Sequence, residues 1–259
     1  MRRAIGTALI AIALLAAGCG DDDDTPAASG DGGGAQPVVV SAAASLQTAF
    51  EDYAALLDPA PRYSFAGSDE LAAQIRQGVK PDVFASANTT LPDELFKEGL
   101  VEQPAVFAGN RLVLAVPADA DGIASLADVE RPGVDLAVGS ASVPIGAYTR
   151  KVLDGLPAEA RERILANVRS EEPDVKGIVG KLTQGAVDAG FVYVTDVAAA
   201  QGELEAIDLP EALQPSVAYG VAVVKGAEHP EEAQAFVDGL VDGKGQEALR
   251  AAGFEPPPQ

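Results

Sequence analysis

The chain has 259 residues and carries 39 acidic against 18 basic side chains, a formal net charge of -21. That balance excludes a nucleic-acid binder, because phosphate neutralisation needs clustered Lys and Arg. A single Cys and a single His exclude an intrachain disulfide framework and a zinc centre of the usual kind, and the absence of Trp argues against a carbohydrate site built on stacked rings.

Residues 1–18 read as a secretory signal: Met1-Arg2-Arg3 supplies the positive start, and Ala4 to Ala17 is almost wholly apolar or small. The stretch is too short for a comfortable membrane span. It ends in Leu15-Ala16-Ala17-Gly18-Cys19, small residues directly before the only Cys, which resembles a bacterial lipobox. Cys19 is therefore expected to be lipidated and to become the mature N-terminus, holding the protein at the outer face of the plasma membrane or in the periplasm. Residues 19–36, with Asp21 to Asp24 and a run of Gly, Ser and Ala, cannot bury a core and read as a tether.

From residue 37 short apolar runs alternate with amphipathic stretches. Val38 to Val40 predicts a buried strand, Leu46 to Leu57 a helix and Tyr63 to Phe65 a second strand. Leu71 to Gln77 predicts a helix with Ser68 as its N-cap, Asp69 and Glu70 in the first turn and Gly78 as its stop. Val83 to Ala85 is a third strand, followed by a short helix between Pro92 and Gly99. Arg111 to Val116 is a strand, Ser125 to Asp128 a capping-type helix start, and Leu136 to Val138 a strand. Helices follow over Ile145 to Leu156, from Pro157 through Ala166, and over Val175 to Leu182. Then come a strand at Gly190 to Val194, a helix at Asp196 to Gln201, a strand at Val217 to Val224, and closing helices near 230–241 and 246–252. Alternation of this kind predicts an α/β fold with mainly parallel sheets.

Four segments stand out: Ala42-Ala43-Ala44-Ser45-Leu46; Phe65-Ala66-Gly67-Ser68 with Leu71 to Ile75; Val143-Pro144-Ile145-Gly146-Ala147-Tyr148; and Asp174-Val175-Lys176-Gly177 with Gly190-Phe191-Val192-Tyr193 downstream. Their order and spacing resemble the molybdate-binding proteins of ABC transporters. So do Pro81 to Ala87, Gly109-Asn110-Arg111-Leu112 and Tyr219 to Val224. The resemblance runs from about Val38 to Phe254. It implies a two-lobed type II periplasmic-binding-protein fold, each lobe a mainly parallel sheet flanked by helices, with the ligand cleft between the lobes. It divides the chain into a discontinuous first lobe, 37–110 and 216–259, and a second lobe, 111–215.

The segments place small or Gly-flanked residues at helix starts, where free backbone N–H groups and the dipole bind anions without a cationic side chain. The resemblance implies that Ser45 and Ser68 donate through hydroxyl and backbone, Ile145 and Val175 through backbone N–H, and Tyr193 through its hydroxyl. Where the family has a small residue, Ile145 is bulky. Asp69 and Glu70 stand where the family has small hydroxyl residues, and both are expected to face solvent. Taken singly, the two serines read as helix caps, Val175 as a core residue and Tyr193 as a core aromatic.

The implied ligand is molybdate or tungstate, with sulfate or another tetrahedral oxyanion as alternatives; no cofactor and no bare metal cation is expected. The implied partners are the permease and ATPase subunits of an importer, with the protein itself a monomer and not an enzyme. A secreted hydrolase using Ser45 lacks a base, since Asp82, Asp188 and the Asp93-Glu94 pair read as surface or capping acids. An anion sensor that feeds no transporter is the remaining rival. The run Gly177 to Leu182 has the wrong spacing for a phosphate loop.

Overall fold

A computed structural model describes residues 36–258. The leader, Cys19 and all but the last residue of the expected tether lie outside the described residues.

The chain opens with β1 (Val39–Ala43), a 3-10 turn (Ala44–Leu46) and α1 (Gln47–Ala54). It continues through β2 (Arg62–Ala66), α2 (Ser68–Arg76), β3 (Val83–Ser86), α3 (Thr90–Lys97) and β4 (Ala105–Asn110). The middle comprises β5 (Leu112–Pro117), a 3-10 turn (Leu126–Glu130), β6 (Leu136–Gly139), α4 (Pro144–Asp154) and α5 (Ala158–Ala166). Next come β7 (Val168–Glu172), α6 (Val175–Thr183), β8 (Ala189–Tyr193), α7 (Val194–Ala199) and β9 (Leu204–Asp208). β10 (Val217–Val223), α8 (Pro230–Asp242) and α9 (Lys244–Ala251) close the chain.

The strands form two five-stranded sheets, ordered β2-β1-β3-β10-β4 and β7-β6-β8-β5-β9. The chain passes from the first to the second between Asn110 and Leu112 and returns between Asp208 and Val217. In the first sheet β1 runs parallel to β2 and β3, while β10 runs antiparallel to β3 and β4. The second sheet repeats this: β6 is parallel to β7 and β8, and β5 is antiparallel to β8 and β9. The sheets are thus mixed rather than mainly parallel. The strand that crosses over from the other sheet, β5 or β10, enters antiparallel in each case.

Three strands are not predicted from the sequence, β4, β7 and β9, and of these β7 and β9 lack an apolar run. All three lie at sheet edges. An edge strand buries less of itself, so its sequence need not be apolar. β7 reads Val-Arg-Ser-Glu-Glu with no fully buried residue, and β9 reads Leu-Glu-Ala-Ile-Asp with only Leu204 buried. The central strands, by contrast, are apolar on both faces because helices cover both sides: β3, β6 and β8 are buried throughout.

The two C-terminal helices pack on α1, β4 and β10, and so return to the first sheet. Gln246, buried in α9, fixes this docking by donating to the carbonyls of Phe107 (2.8 Å) and Leu240 (2.9 Å). Asp82 is another buried polar strut. Its carboxylate accepts the backbone N–H of Val39 (2.8 Å) and of His229 (3.0 Å), so it is an interior acid rather than a surface one. Asp188 ties β8 to β6 by accepting the N–H of Asp135 (2.8 Å). Among the described residues no helix is long and apolar enough to cross a membrane.

Candidate functional site

Parallel strands deliver their helices at one end of a sheet, and ligands of open α/β folds bind beyond the carboxyl ends of such strands. Here β1 runs into the turn that starts α1, β2 into α2, β6 into α4 and β7 into α6. Two of these helix starts come from each sheet, and both sheets belong to one compact unit. They enclose a cavity of about 20 Å³ lined by Ser45, Ser68, Ile145, Val175, Tyr193 and Asp174 among others. All five residues singled out in the sequence therefore meet at one place. A water needs about 10–15 Å³ on the same measure, so the space takes a small ion and not a metabolite of ordinary size.

Each wall residue has a distinct local reason for its position. Ser68 is the first residue of α2, and the N-cap is Gly67. The predicted cap role is therefore wrong: Ser68 makes no cap bond, and its Oγ instead accepts the N–H of Ala87 from beyond β3 (3.1 Å). Ser45 sits within the 3-10 turn and also caps nothing. Its Oγ accepts the hydroxyl of Tyr219 in β10 (3.1 Å). In both serines the oxygen is already engaged as an acceptor, which leaves the hydroxyl hydrogen free. Ile145 is the second residue of α4, behind Pro144, so its N–H has no partner within the helix. Its side chain turns away from that role and is buried in the core. Val175 begins α6 and offers its N–H in the same way.

Tyr193, at the end of β8, is 1% exposed; its hydroxyl makes no hydrogen bond of good geometry within the protein, and its polar neighbour is the Tyr219 hydroxyl. A buried hydroxyl without a partner costs about 1–3 kcal/mol, so the Tyr193 hydroxyl is a donor available to a ligand in the cavity it lines. Burial pushes Tyr193 and Tyr219 well above the usual phenol range, so both remain protonated donors at neutral pH. The rings form a chain across the two sheets: Tyr148 to Tyr193 at 6.5 Å, Tyr193 to Tyr219 at 5.8 Å and Tyr219 to Phe254 at 5.3 Å, all edge-on.

Four carboxylates stand near the cavity. Asp174 lines it, a feature that the sequence reading does not include, but its Oδ1 caps α6 by accepting the N–H of Gly177 (3.0 Å). Glu70 is exposed and accepts from Gln74 (3.2 Å), as expected; Asp69 is half-buried rather than solvent-facing, and neither lines the cavity. Asp196, wholly buried, accepts the N–H of Tyr193 (3.2 Å), and its other oxygen lies 3.7 Å from Nζ of Lys176. Burial raises its pKa to about 6, an effect that Lys176 partly offsets. A larger cavity of about 270 Å³ lies beyond Ser45 and is bordered by Lys176, Asp52 and Asp196.

The walls approach closely at one point. A Cβ built on Gly67 would stand 2.5 Å from the carbonyl oxygen of Pro173, in the turn between β7 and α6. Only a residue without a side chain allows the start of α2 to come this near.

Among the described residues, the side-chain hydrogen-bond partner of Ser45 is Tyr219. The geometry is that of a donor-lined cleft between two α/β halves, which defines a binding protein of the extracytoplasmic solute-receptor type. A family model for bacterial extracellular solute-binding proteins matches residues 38–255, and the chain belongs to that family. It is 36% identical to the molybdate-binding protein ModA of Mycobacterium tuberculosis, over 98% of each chain. With ModA of Escherichia coli it shares 29% identity over 82% of this chain and 86% of the relative. The fold matches the periplasmic molybdate-binding protein of Azotobacter vinelandii with a TM-score of 0.75 at 19% identity, covering 85% of this chain and 100% of that one.

The sequence reading misses Asn110, Tyr219, Asp174 and Asp196. Asn110 and Tyr219 fall inside segments that resemble the family, yet nothing local reveals that they touch each other or Ser45.

Proposed function

We propose that the protein captures molybdate outside the cytoplasmic membrane and delivers it to the permease of an ABC importer. The observation that carries this reading is the unpartnered, buried hydroxyl of Tyr193 facing a 20 Å³ cavity shared with Ser45, Ser68 and two helix starts. Three hydroxyl hydrogens and the free N–H groups of Ile145 and Val175 would replace the hydration shell of a tetrahedral dianion. Local dipoles suffice for this, while the acidic surface is screened within roughly 10 Å of saline. Backbone donors are fixed in length and angle, so they favour the larger molybdate and tungstate over sulfate. The relatives named for molybdate support the same ligand.

In this reading residues 37–110 with 216–259 form one lobe and 111–215 the other. The lobes part to admit the anion and close when both donate to it. Closure presents the surface that the permease reads, and the importer's ATPase subunits drive transport. Lipidation at Cys19 keeps the protein at the membrane's outer face, and it works as a monomer without a cofactor.

Calorimetric titration of residues 36–259 with molybdate, tungstate, sulfate and phosphate tests the ligand. Molybdate and tungstate are expected to bind at least about ten-fold more tightly than sulfate, about 1.4 kcal/mol. Equal affinity for sulfate removes the molybdate assignment. Replacing Cys19 with Ala is expected to release the protein from membranes; unchanged membrane retention and processing removes the anchor.

A further inference from the structure

We propose that Tyr219 is a positioning residue for the anion site: it turns the hydroxyl hydrogen of Ser45 toward the cavity, and Asn110 sets the direction in which Tyr219 itself points. The proposal rests on the anion-site reading given above.

One backbone group fixes the orientation of the Asn110 amide at the head of the relay. The N–H of Arg111 can only donate, and it donates to Oδ1 of Asn110 (2.8 Å). That fixes which end of the Asn110 amide is oxygen, so Nδ2 carries the two N–H donors. One goes to Oγ1 of Thr195 at 2.9 Å and the other to the hydroxyl oxygen of Tyr219 at 3.4 Å. The Tyr219 hydroxyl, whose oxygen accepts from Asn110, donates its single hydrogen to Oγ of Ser45 at 3.1 Å. Ser45 therefore accepts from Tyr219 and keeps its own hydrogen for the cavity it lines.

Asn110, Thr195, Tyr219 and Ser45 are each at most 7% exposed, although Ser45 and Thr195 also border the larger neighbouring cavity. In such a site hydrogen bonds polarise one another along a chain. Without Tyr219's hydroxyl, the Ser45 hydrogen could turn away from the cavity, and the lone pairs of Ser45 would face an anion. Ser68 needs no such relay, because the N–H of Ala87 already holds its oxygen as an acceptor. The relay also spans the two halves of the chain: Asn110 lies at the end of β4, where the chain leaves the first sheet, and Thr195 lies in α7 beside the second.

A double-mutant cycle on the 36–259 protein, read by calorimetric titration with sodium molybdate, tests the relay. Tyr219→Phe keeps the ring and removes only the hydroxyl. It is expected to weaken molybdate binding about ten-fold in the wild-type background, the size of one lost charge-assisted bond. In a Ser45→Ala background the same change is expected to have less than about a two-fold effect, because the group it acts through is gone. A purely structural role would weaken both backgrounds by the same factor, and that result overturns the proposal, as does unchanged affinity in the single variant. Asn110→Ala is carried through the same cycle as a second route to the same hydroxyl, with a smaller loss that is again confined to proteins retaining Ser45. Ser45→Ala alone separates the two levels. If it leaves molybdate affinity intact, the anion site itself falls and the relay with it. If it weakens binding while the cycle is additive, only the relay falls.

Discussion

The two sides of the cavity are prepared differently. On the side of the first sheet, Ser45 and Ser68 are held before any ligand arrives, one by Tyr219 and the other by the N–H of Ala87. On the side of the second sheet, the Tyr193 hydroxyl has no partner, and Ile145 and Val175 offer main-chain groups that their helices leave unused. One wall is thus satisfied in isolation and the other is completed by what it binds. The difference separates stability from affinity: a residue on the first wall serves both, while the donors of the second wall serve mainly the ligand.

The sharpest break in that comparison comes from Ile145, whose side chain and main chain do separate jobs. Ile145→Ala is expected to cost about 2–5 kcal/mol of folding stability, measured by chemical denaturation, because a buried side chain is removed from a packed core. Its molybdate affinity is expected to change little, since the N–H remains; a parallel collapse of affinity would show that the side chain shapes the cavity.

Next in size are the serines. Ser45→Ala and Ser68→Ala each leave a buried donor unsatisfied, the Tyr219 hydroxyl or the Ala87 N–H. Each is expected to lose about 1–3 kcal/mol of stability in the ligand-free protein as well as affinity. Tyr193→Phe is the contrasting case. It is expected to lose a comparable amount of affinity while the ligand-free protein keeps or gains stability, because the group removed had no partner. Thermal unfolding of the three variants with and without molybdate distinguishes the walls, and equal destabilisation of all three would erase the distinction.

A further effect is a pH dependence seated in the second wall. Asp196 titrates near 6 in the folded protein against an ordinary value of 3.8, raised chiefly by burial. A raised carboxyl favours the folded state below its unfolded value, and that contribution is lost as pH rises through about 6. Asp196→Asn is expected to flatten the fall in stability between about pH 4 and pH 6; identical slopes for both proteins would place the dependence elsewhere.

Much of this architecture is legible in the sequence wherever burial is two-sided. Runs such as Val83-Phe84-Ala85 and Leu136-Ala137-Val138 declare central strands because both faces must be apolar. β7 and β9 escape because an edge strand tolerates the polar residues of Val168 to Glu172 and Leu204 to Asp208. β4 differs: Ala105 to Ala108 is an apolar run and most of the strand is buried, so its edge position does not hide it. The five site residues are legible as members of helix-start motifs, and the structure brings all five to one cavity. What supports them is not legible. Ser45 and Tyr219 are 174 positions apart and Asn110 and Tyr219 are 109 apart, so no local spacing carries the contact. The misassigned cap at Ser68 has the same origin: its hydroxyl answers to Ala87, from a different strand.

The near-contact of Gly67 with Pro173 gives the cleft a mechanical stop made of main chain. Side chains at a rim can swing aside, and a pocket bounded by them changes size with its occupant. Here the start of α2 and the turn before α6 approach main chain to main chain, with the Asp69 carboxylate beside them. In the proposed closure, the inner dimension of the cavity is then set by covalent geometry, much as a caliper is set by its jaws. An anion too small leaves the jaws resting on each other with donors out of reach, and one too large holds them apart.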